Sequence, residues 1–266
     1  MNKNLNQNII ESKNNKVIKE IRALADKKYR DELGLFIADG LRFVNEIPET
    51  IQIEKIIFSE SFASKNDLTP YQKKSSTLII SNKLFDEISD TKKPQGIMAI
   101  CKKIHFNVND IIKKNGFYIL AEEINDPGNL GTIIRTAHAA GANGIFLTNG
   151  SVDLYNNKVL RSTMGSIFKI PVLQNIDLDY ISDILKKNKI MLYAAHLKAK
   201  KYHYEVNYTN GCAFLLGNEA RGLSEHAVSL CDGLIKIPMP GDAESLNASV
   251  AAAILMYEVV KQRMLR

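Results

Sequence analysis

Ile237-Pro238-Met239-Pro240-Gly241-Asp242-Ala243-Glu244-Ser245-Leu246-Asn247-Ala248-Ser249 is the stretch whose reading decides the fold. A strand ending at Ile237 meets two prolines and a glycine, which forbid regular pairing, and a long helix then starts at Ser245 or Asn247 and runs toward Arg266. A loop with Pro238 and Pro240 lacks two N–H donors but keeps its carbonyls, so it accepts hydrogen bonds from a flat, amine-bearing ligand such as adenine. Taken alone, the stretch is an ordinary strand, turn and helix, because Pro and Gly punctuate turns everywhere and Ser or Asn at a helix start is a cap. Two further polar, glycine-containing stretches follow apolar strands upstream, and the ligand-binding reading rests on all three together.

The first of these is Asn129-Leu130-Gly131-Thr132-Ile133-Ile134-Arg135. It follows the strand Phe117 to Ala121 and opens a helix from about Leu130 to Ala140, closed by Gly141, with Asn129 and Arg135 flanking its first turns. The second, Leu216-Gly217-Asn218-Glu219-Ala220-Arg221-Gly222-Leu223, follows the strand Cys212 to Leu216 and places a carboxylate between two glycines. Further apolar runs at Gly144 to Leu147, Phe168 to Leu173, Ile190 to Ala195 and Leu234 to Ile237 alternate with helical patterns near Tyr155 to Met164 and Ile181 to Lys187. Short, continuous apolar strands spaced by helices read as a parallel sheet covered on both faces, and in such a sheet ligands bind beyond the carboxyl ends of the strands. All three stretches lie there. One by one, Arg135 is a surface ion-pair partner, Glu219 a helix N-terminal carboxylate and Asn247 a cap. Gly128, Gly131, Gly217, Gly222 and Gly241, all read as strand-to-helix junctions, favour close approach of backbone to a ligand or to another segment.

Ahead of this region, Val17, Ile18, Ile21, Leu24 and Ala25 fall at helical spacing among lysines and predict one basic amphipathic helix ending near Arg30. Strands at Leu35 to Ala38, Ile53 to Phe58, Thr77 to Ile80 and Ile97 to Cys101 alternate with helices at Leu41 to Ile47 and Lys83 to Ile88, a small α/β layer. The basic, aperiodic stretch after it reads as a linker. The chain therefore divides into an N-terminal α/β domain, 1–103, a linker, 104–114, and a C-terminal α/β domain, 115–266.

The 266 residues, 45% hydrophobic and 24% charged, suffice for two ordinary domains. No run of about eighteen apolar residues occurs, and Met1 to Asn8 is polar rather than a signal-peptide core, so a cytoplasmic protein without a membrane span is expected. Cys101, Cys212 and Cys231 form neither a disulfide framework nor a zinc pattern, and His105, His138, His196, His203 and His226 lack metal-ligand spacing, so no metal is expected. The net charge of +6 is unevenly spread. The first thirty residues hold eight Lys or Arg against three acids, Lys92 to Lys103 four lysines and no acid, and Lys186 to Lys201 six lysines and no acid. Such clusters attract phosphate backbones, although most charge runs are solvated faces. Tyr193, Tyr202 and Tyr204, in or just after the last run, suit base stacking, and for Tyr193 a core strand is at least as good a reading.

In order, Asn129 to Arg135 with Thr136-Ala137, then Gly217-Asn218-Glu219 with Gly222-Leu223-Ser224, then Ile237-Pro238-Met239 with Ser245-Leu246-Asn247 resemble the three motifs of the SpoU/TrmH family of RNA 2′-O-ribose methyltransferases. The resemblance covers Phe117 to Met264, and the N-terminal part resembles the substrate-binding domain that often precedes it. His138 departs from the pattern, since members often carry an acid there. The resemblance implies an α/β-knot domain with a mostly parallel sheet, whose C-terminal part is threaded as a deep trefoil knot, and a homodimer that brings Arg135 of one subunit toward the cofactor of the other.

It also implies S-adenosylmethionine as cofactor, held at Leu216, Gly217, Ile237, Met239 and Leu246, and a catalytic group of Asn129, Arg135, Glu219, Ser245 and Asn247. Within it Glu219 and Asn129 would steady Arg135, and Arg135 would clamp a substrate phosphate and stabilise the developing alkoxide. The substrate implied is RNA, ribosomal RNA in preference to transfer RNA. Two other readings rank below. A Rossmann-type enzyme fits Gly128-x-x-Gly131 but lacks the G-x-G-x-x-G run. A non-catalytic RNA-binding protein on the same scaffold would not need the polar residues of all three motifs.

Overall fold

The basic stretch that predicts one helix to Arg30 folds as two, α1 (Lys16–Ala23) and α2 (Lys27–Leu33). Asp26 makes the break: its side chain accepts the Lys28 N–H at 2.8 Å and caps α2. Arg30, 5% exposed, turns inward and donates to the Leu24 and Ala25 carbonyls freed at the break, 2.7 Å each. It serves the fold and not an outer basic face. The computed structural model describes residues 9–265, and the polar segment Met1 to Asn8 lies outside them. By backbone proximity the chain forms two units, Met1–Ile104 with Tyr155–Arg161, and His105–Leu154 with Ser162–Arg266.

In the first unit follow β1 (Leu35–Asp39), α3 (Leu41–Asn45), β2 (Ile53–Ser59), α4 (Glu60–Lys65), α5 (Thr69–Gln72), β3 (Thr77–Ile80), α6 (Asn82–Ile88) and β4 (Ile97–Lys102). Its sheet runs β1-β4-β2-β3, with β4 antiparallel to both neighbours and β2 parallel to β3. Ile18, Ile21 and Leu24 pack on Ile57, Ile80, Phe85, Met98 and Ile100, each buried aliphatic chain contributing about 1.5–3 kcal/mol. Tyr155 joins this unit through its ring, 4.8 Å from that of Phe36, and through its hydroxyl, which accepts the Ile104 N–H at 2.8 Å.

The second unit carries α7 (Val108–Ile111), β5 (Phe117–Ala121), α8 (Pro127–Ala139) and β6 (Gly144–Thr148). After α9 (Asn157–Thr163), which begins in the segment belonging to the first unit, come β7 (Val172–Ile176), α10 (Leu178–Lys187), β8 (Met191–Ala195) and β9 (Lys201–Tyr202). The chain finishes with β10 (Cys212–Leu216), α11 (Glu225–Ser229), β11 (Gly233–Lys236) and α12 (Ala248–Met264). Seven strands in the order β7-β6-β5-β10-β8-β11-β9 pair in parallel throughout. All residues of β5 and β10 are buried, which is why their sequences are unbroken apolar runs. Tyr118, Phe146, Ile181, Leu185, Leu192 and Leu215 belong to one core cluster of this unit. The register sets Ala121 beside Leu216 and Tyr202 beside Lys236, so the carboxyl ends of β5, β10, β11 and β9 share one edge.

Three of the differences from the sequence reading shape the second unit. The run 168–173 is not one strand: Gly165, left-handed at φ 83°, opens a 3-10 turn at Ser166–Phe168, and β7 starts only after Pro171. Helix α8 starts at Pro127 rather than Leu130, because proline suits the first helical position and Asp126 caps it by accepting the Asn129 N–H at 2.8 Å. Gly128 and Gly131 therefore sit inside a helix rather than at a junction. Strand β11 ends at Lys236, which leaves Ile237 to the loop. Tyr193 lies in β8 edge-on to the buried Tyr208, ring centroids 5.4 Å apart, so the core reading holds for it. Among the described residues no helix is long and apolar enough to cross a membrane.

Candidate functional site

Three loops leave the carboxyl edge of the sheet: 122–126 after β5, 217–224 after β10 and 237–247 after β11. The first two are stitched along their length. The Glu122 carboxylate accepts the Ser224 N–H at 2.9 Å and the Ser224 hydroxyl at 2.6 Å, and the Glu122 N–H reaches the Leu216 carbonyl at 2.8 Å. Glu123, whose φ of 51° is left-handed, gives its carbonyl to the Asn218 side chain at 2.8 Å and its carboxylate to Arg221. Asn218 also folds its own loop: it pairs with Gly222 through both backbone groups, and its Oδ1 accepts the Ala220 and Arg221 N–H groups at 3.0 and 3.1 Å. Glu122, Glu123, Asn218 and Arg221 are not among the site residues expected from the sequence, although Asn218 lies within the second motif. The one local signal is an asparagine set to form an Asx turn between two glycines.

Gly217 shows how tight this loop is. A Cβ built there would lie 2.4 Å from the carbonyl carbon of Gly222 and 2.5 Å from the Leu223 nitrogen, both backbone atoms that cannot move aside alone. Gly217→Ala is therefore expected to destabilise the unit by about 1–3 kcal/mol, as overpacking does. Thermal unfolding measures this, and an unchanged melting temperature would show that the two backbone segments separate freely.

The third loop joins the others through one chain of side chains. Glu219 accepts the backbone N–H groups of Asn125 and Asp126, 3.2 Å each, and the Asn129 Nδ2 at 3.0 Å. Asn129 Oδ1 in turn accepts the Asn247 Nδ2 at 2.9 Å. Asn247 caps α12, its Oδ1 accepting from the Ser249 N–H (2.9 Å), the Ser249 hydroxyl (2.7 Å) and the Val250 N–H (3.3 Å). Both amide orientations follow from the ends: a carboxylate only accepts, and a helix N-terminus only donates. Partial burial pushes the Glu219 carboxyl up, but hydrogen bonds from Asn129 and from the amides of Glu219, Asn125 and Asp126 outweigh it and hold the group below its ordinary value. With these donors on it and a low proton affinity, Glu219 positions other groups and is a poor general base.

The remaining expected residues are placed as follows. Arg135 is exposed on α8, and its side chain makes no hydrogen bond or ion pair with a described residue. Six residues beyond Asn129, it lies about 9 Å further along the helix and points roughly 120° away. Glu219 and Asn129 therefore hold each other and not Arg135. Leu216 is buried at the end of β10, Gly217, Ile237, Met239 and Leu246 are half-buried, and Ser245 is exposed without a hydrogen bond among the described residues. His138 brings its Nδ1 to 3.1 Å from the Ser166 hydroxyl. Burial pushes the thiols of Cys101, Cys212 and Cys231 up to about 12, so they stay protonated and unreactive. Among the described residues no group of three His, Cys, Asp or Glu side chains is arranged around a metal position.

The pattern of the SpoU rRNA Methylase family matches residues 116–257, and that of an MRM3-like substrate binding domain matches residues 15–99. The 23S rRNA (guanosine(2553)-2′-O)-methyltransferase RlmP of Bacillus subtilis is 34% identical over 252 residues, which cover 94% of this chain and 98% of that protein. The AdoMet-bound rRNA methyltransferase from Sinorhizobium meliloti superposes with a TM-score of 0.83 at 30% identity, covering 96% of this chain and 97% of that one. The SpoU methyltransferase AviRb from Streptomyces viridochromogenes, in complex with AdoMet, gives a TM-score of 0.86 at 25% identity over 94% and 98%.

Proposed function

The chain belongs to the SpoU rRNA methylase family, and on that premise we propose that it methylates the ribose 2′-hydroxyl of RNA, with the RNA of the large ribosomal subunit as substrate and the cytoplasm as its place of work. The observation that supports this most is the unbroken chain Glu219–Asn129–Asn247, which ties three loops from distant parts of the sequence into one site.

S-adenosylmethionine is the cofactor, and it supplies an already activated sulfonium methyl. The residues present fit it. Half-buried Ile237, Met239 and Leu246 offer apolar contact, and Pro238 and Pro240 leave bare carbonyls for an amine-bearing ring. The segment 237–247 contains Asp242 and Glu244 and no Lys or Arg, which suits a ligand carrying sulfonium and ammonium charges. Arg221, the cation of the second loop, is neutralised by Glu123. Gly217, with no room for a side chain, lets the two arms of the second loop close on each other and fixes the loop's shape.

The difficult partner is the ribose hydroxyl, a weak nucleophile until its proton leaves. A guanidinium stays protonated, so Arg135 acts as a clamp on the neighbouring phosphate and as counter-charge to the alkoxide forming at the 2′-oxygen, while the substrate phosphate takes the proton. Asn129 and Asn247 position the loops, Glu219 anchors Asn129, and Ser245 completes the third loop beside the ribose. Because Arg135 points away from its own chain's loops, it reaches those of a second copy in a homodimer. On α12, which packs on α8, Val250, Tyr257 and Met264 recur every seven residues and are 47%, 51% and 80% exposed, an apolar stripe suited to such an interface. Near its end Gln262 and Arg263 bind the backbone of Val206, Tyr208 and Asn210, contacts that would lock a terminus threaded as a knot.

Transfer of labelled methyl from S-adenosylmethionine to total RNA of a strain lacking the gene tests the proposal. Digestion to nucleosides should yield label in a 2′-O-methylated nucleoside of the large-subunit RNA. Label in transfer RNA would move the substrate, and no label in any RNA would leave only a binding role.

A further inference from the structure

The basic run on either side of β8 is not absorbed by this site, and the aromatic residues that follow it form a feature of their own. Tyr202 and Tyr204 stack with centroids 5.4 Å apart and planes 14° from parallel. The pair is rigid. Tyr202 is held in β9 beside Lys236 and gives its N–H to the Glu205 carboxylate at 2.7 Å, while the intervening His203 is buried edge-on to Tyr204 at 5.2 Å. Tyr204 nonetheless remains 49% exposed. The Lys236 ammonium sits 5.0 Å over the Tyr202 ring, and Lys198, Lys200 and Lys201 are exposed just before the pair, none of the four with a carboxylate partner among the described residues. The register places Tyr202 next to Lys236, one residue before the third loop begins at Ile237.

We propose that Tyr204, backed by Tyr202, is a stacking platform for one unpaired base of the RNA strand that carries the target ribose, with Lys198, Lys200, Lys201 and Lys236 holding the adjoining phosphates. An exposed, pre-ordered aromatic face stacks any base with little loss of side-chain freedom, and unpaired lysines beside it favour a polyanion over an apolar protein surface. The platform raises affinity near the site and does no chemistry. The inference rests on the RNA methylation reading.

The test uses the full chain with S-adenosylmethionine. Tyr204→Ala should raise KM for ribosomal RNA, and Kd for single-stranded heptauridylate, about tenfold, the effect of one lost stacked base. Turnover at saturating RNA and cofactor affinity should change less than about twofold, because the ring adds RNA binding and not transition-state contact. Tyr204→Phe, which keeps the ring face, should restore wild-type values. The chain has no tryptophan, so Tyr204→Trp places a single indole in the platform, and heptauridylate should quench its emission. Wild-type KM in Tyr204→Ala, a Phe variant as weak as the Ala variant, or an unquenched indole would overturn the proposal. Should the wild-type protein methylate no RNA, the proposed activity fails, while the Kd and quenching arms still decide the platform on their own.

Discussion

Arg135→Ala is expected to lower the rate of methyl transfer about 10²–10³-fold, the usual cost of removing a donor aimed at a developing oxyanion. The substitution should leave folding untouched, since the side chain is exposed and makes no hydrogen bond or ion pair with a described residue. Cofactor affinity should hold within about twofold, because Arg135 takes no part in the Glu219–Asn129–Asn247 chain that ties the loops together. Arg135→Lys should recover only part of the activity, as an ammonium cannot grip phosphate with two parallel hydrogen bonds. A mixing experiment locates the residue. Arg135→Ala and Asn129→Asp, each inactive alone, should together regain roughly a quarter of wild-type turnover, the random-mixing share of intact composite sites in a twofold dimer. No regain on mixing would place Arg135 in the site of its own chain, and full activity of Arg135→Ala would remove its role.

Asn129→Asp should be nearly as damaging, by a different route. The Nδ2 that meets Glu219 at 3.0 Å becomes an oxygen, so a donor is replaced by a second carboxylate. A hydrogen bond to a charged acceptor is worth about 1.5–3 kcal/mol, and here repulsion takes its place. The melting temperature should fall by roughly 4–10 °C, and cofactor binding should weaken at least about tenfold as the loops part. The pH dependence is diagnostic. Two facing carboxylates raise the proton affinity of one of them, so the variant's deficit should shrink between roughly pH 8 and pH 5 as a shared proton restores the contact.

The wild-type protein lacks this dependence. The folded-state value of Glu219 is depressed, so its contribution is fully present above the ordinary carboxylate value and is lost only as pH falls through the lower folded one. Glu219 thus adds no slope to wild-type stability over the same window. Thermal unfolding of both proteins across that range measures the difference, and a constant deficit would show that the two side chains do not face each other.

The parallel sheet is legible in the sequence because strands buried on both faces leave unbroken apolar runs, as in β5 and β10. The loops are legible because such a sheet presents its ligand sites at one edge. What escapes a linear reading is decided by single side chains acting locally, such as Asp26 splitting one helix into two and Gly165 turning an apolar run away from a strand. Contacts between residues far apart escape as well. Asn129 and Asn247 are 118 positions apart, and nothing near either one announces the other. The resemblance implies that Glu219 steadies Arg135; the helical turn carries Arg135 off to another direction, and Asn129 takes the carboxylate instead.

The linkage of the three loops by two carboxamides has a bearing on how this protein ages. Side-chain amides hydrolyse slowly in warm water, and Asn is among the thermolabile residues for that reason. At Asn129 this spontaneous reaction yields the acid that mutagenesis would install, and a stored sample would lose the tie between its loops while much of its fold endures. Heat inactivation should then run on two clocks, a fast one set by unfolding and a slow one set by ammonia release, with only the first reversible on cooling.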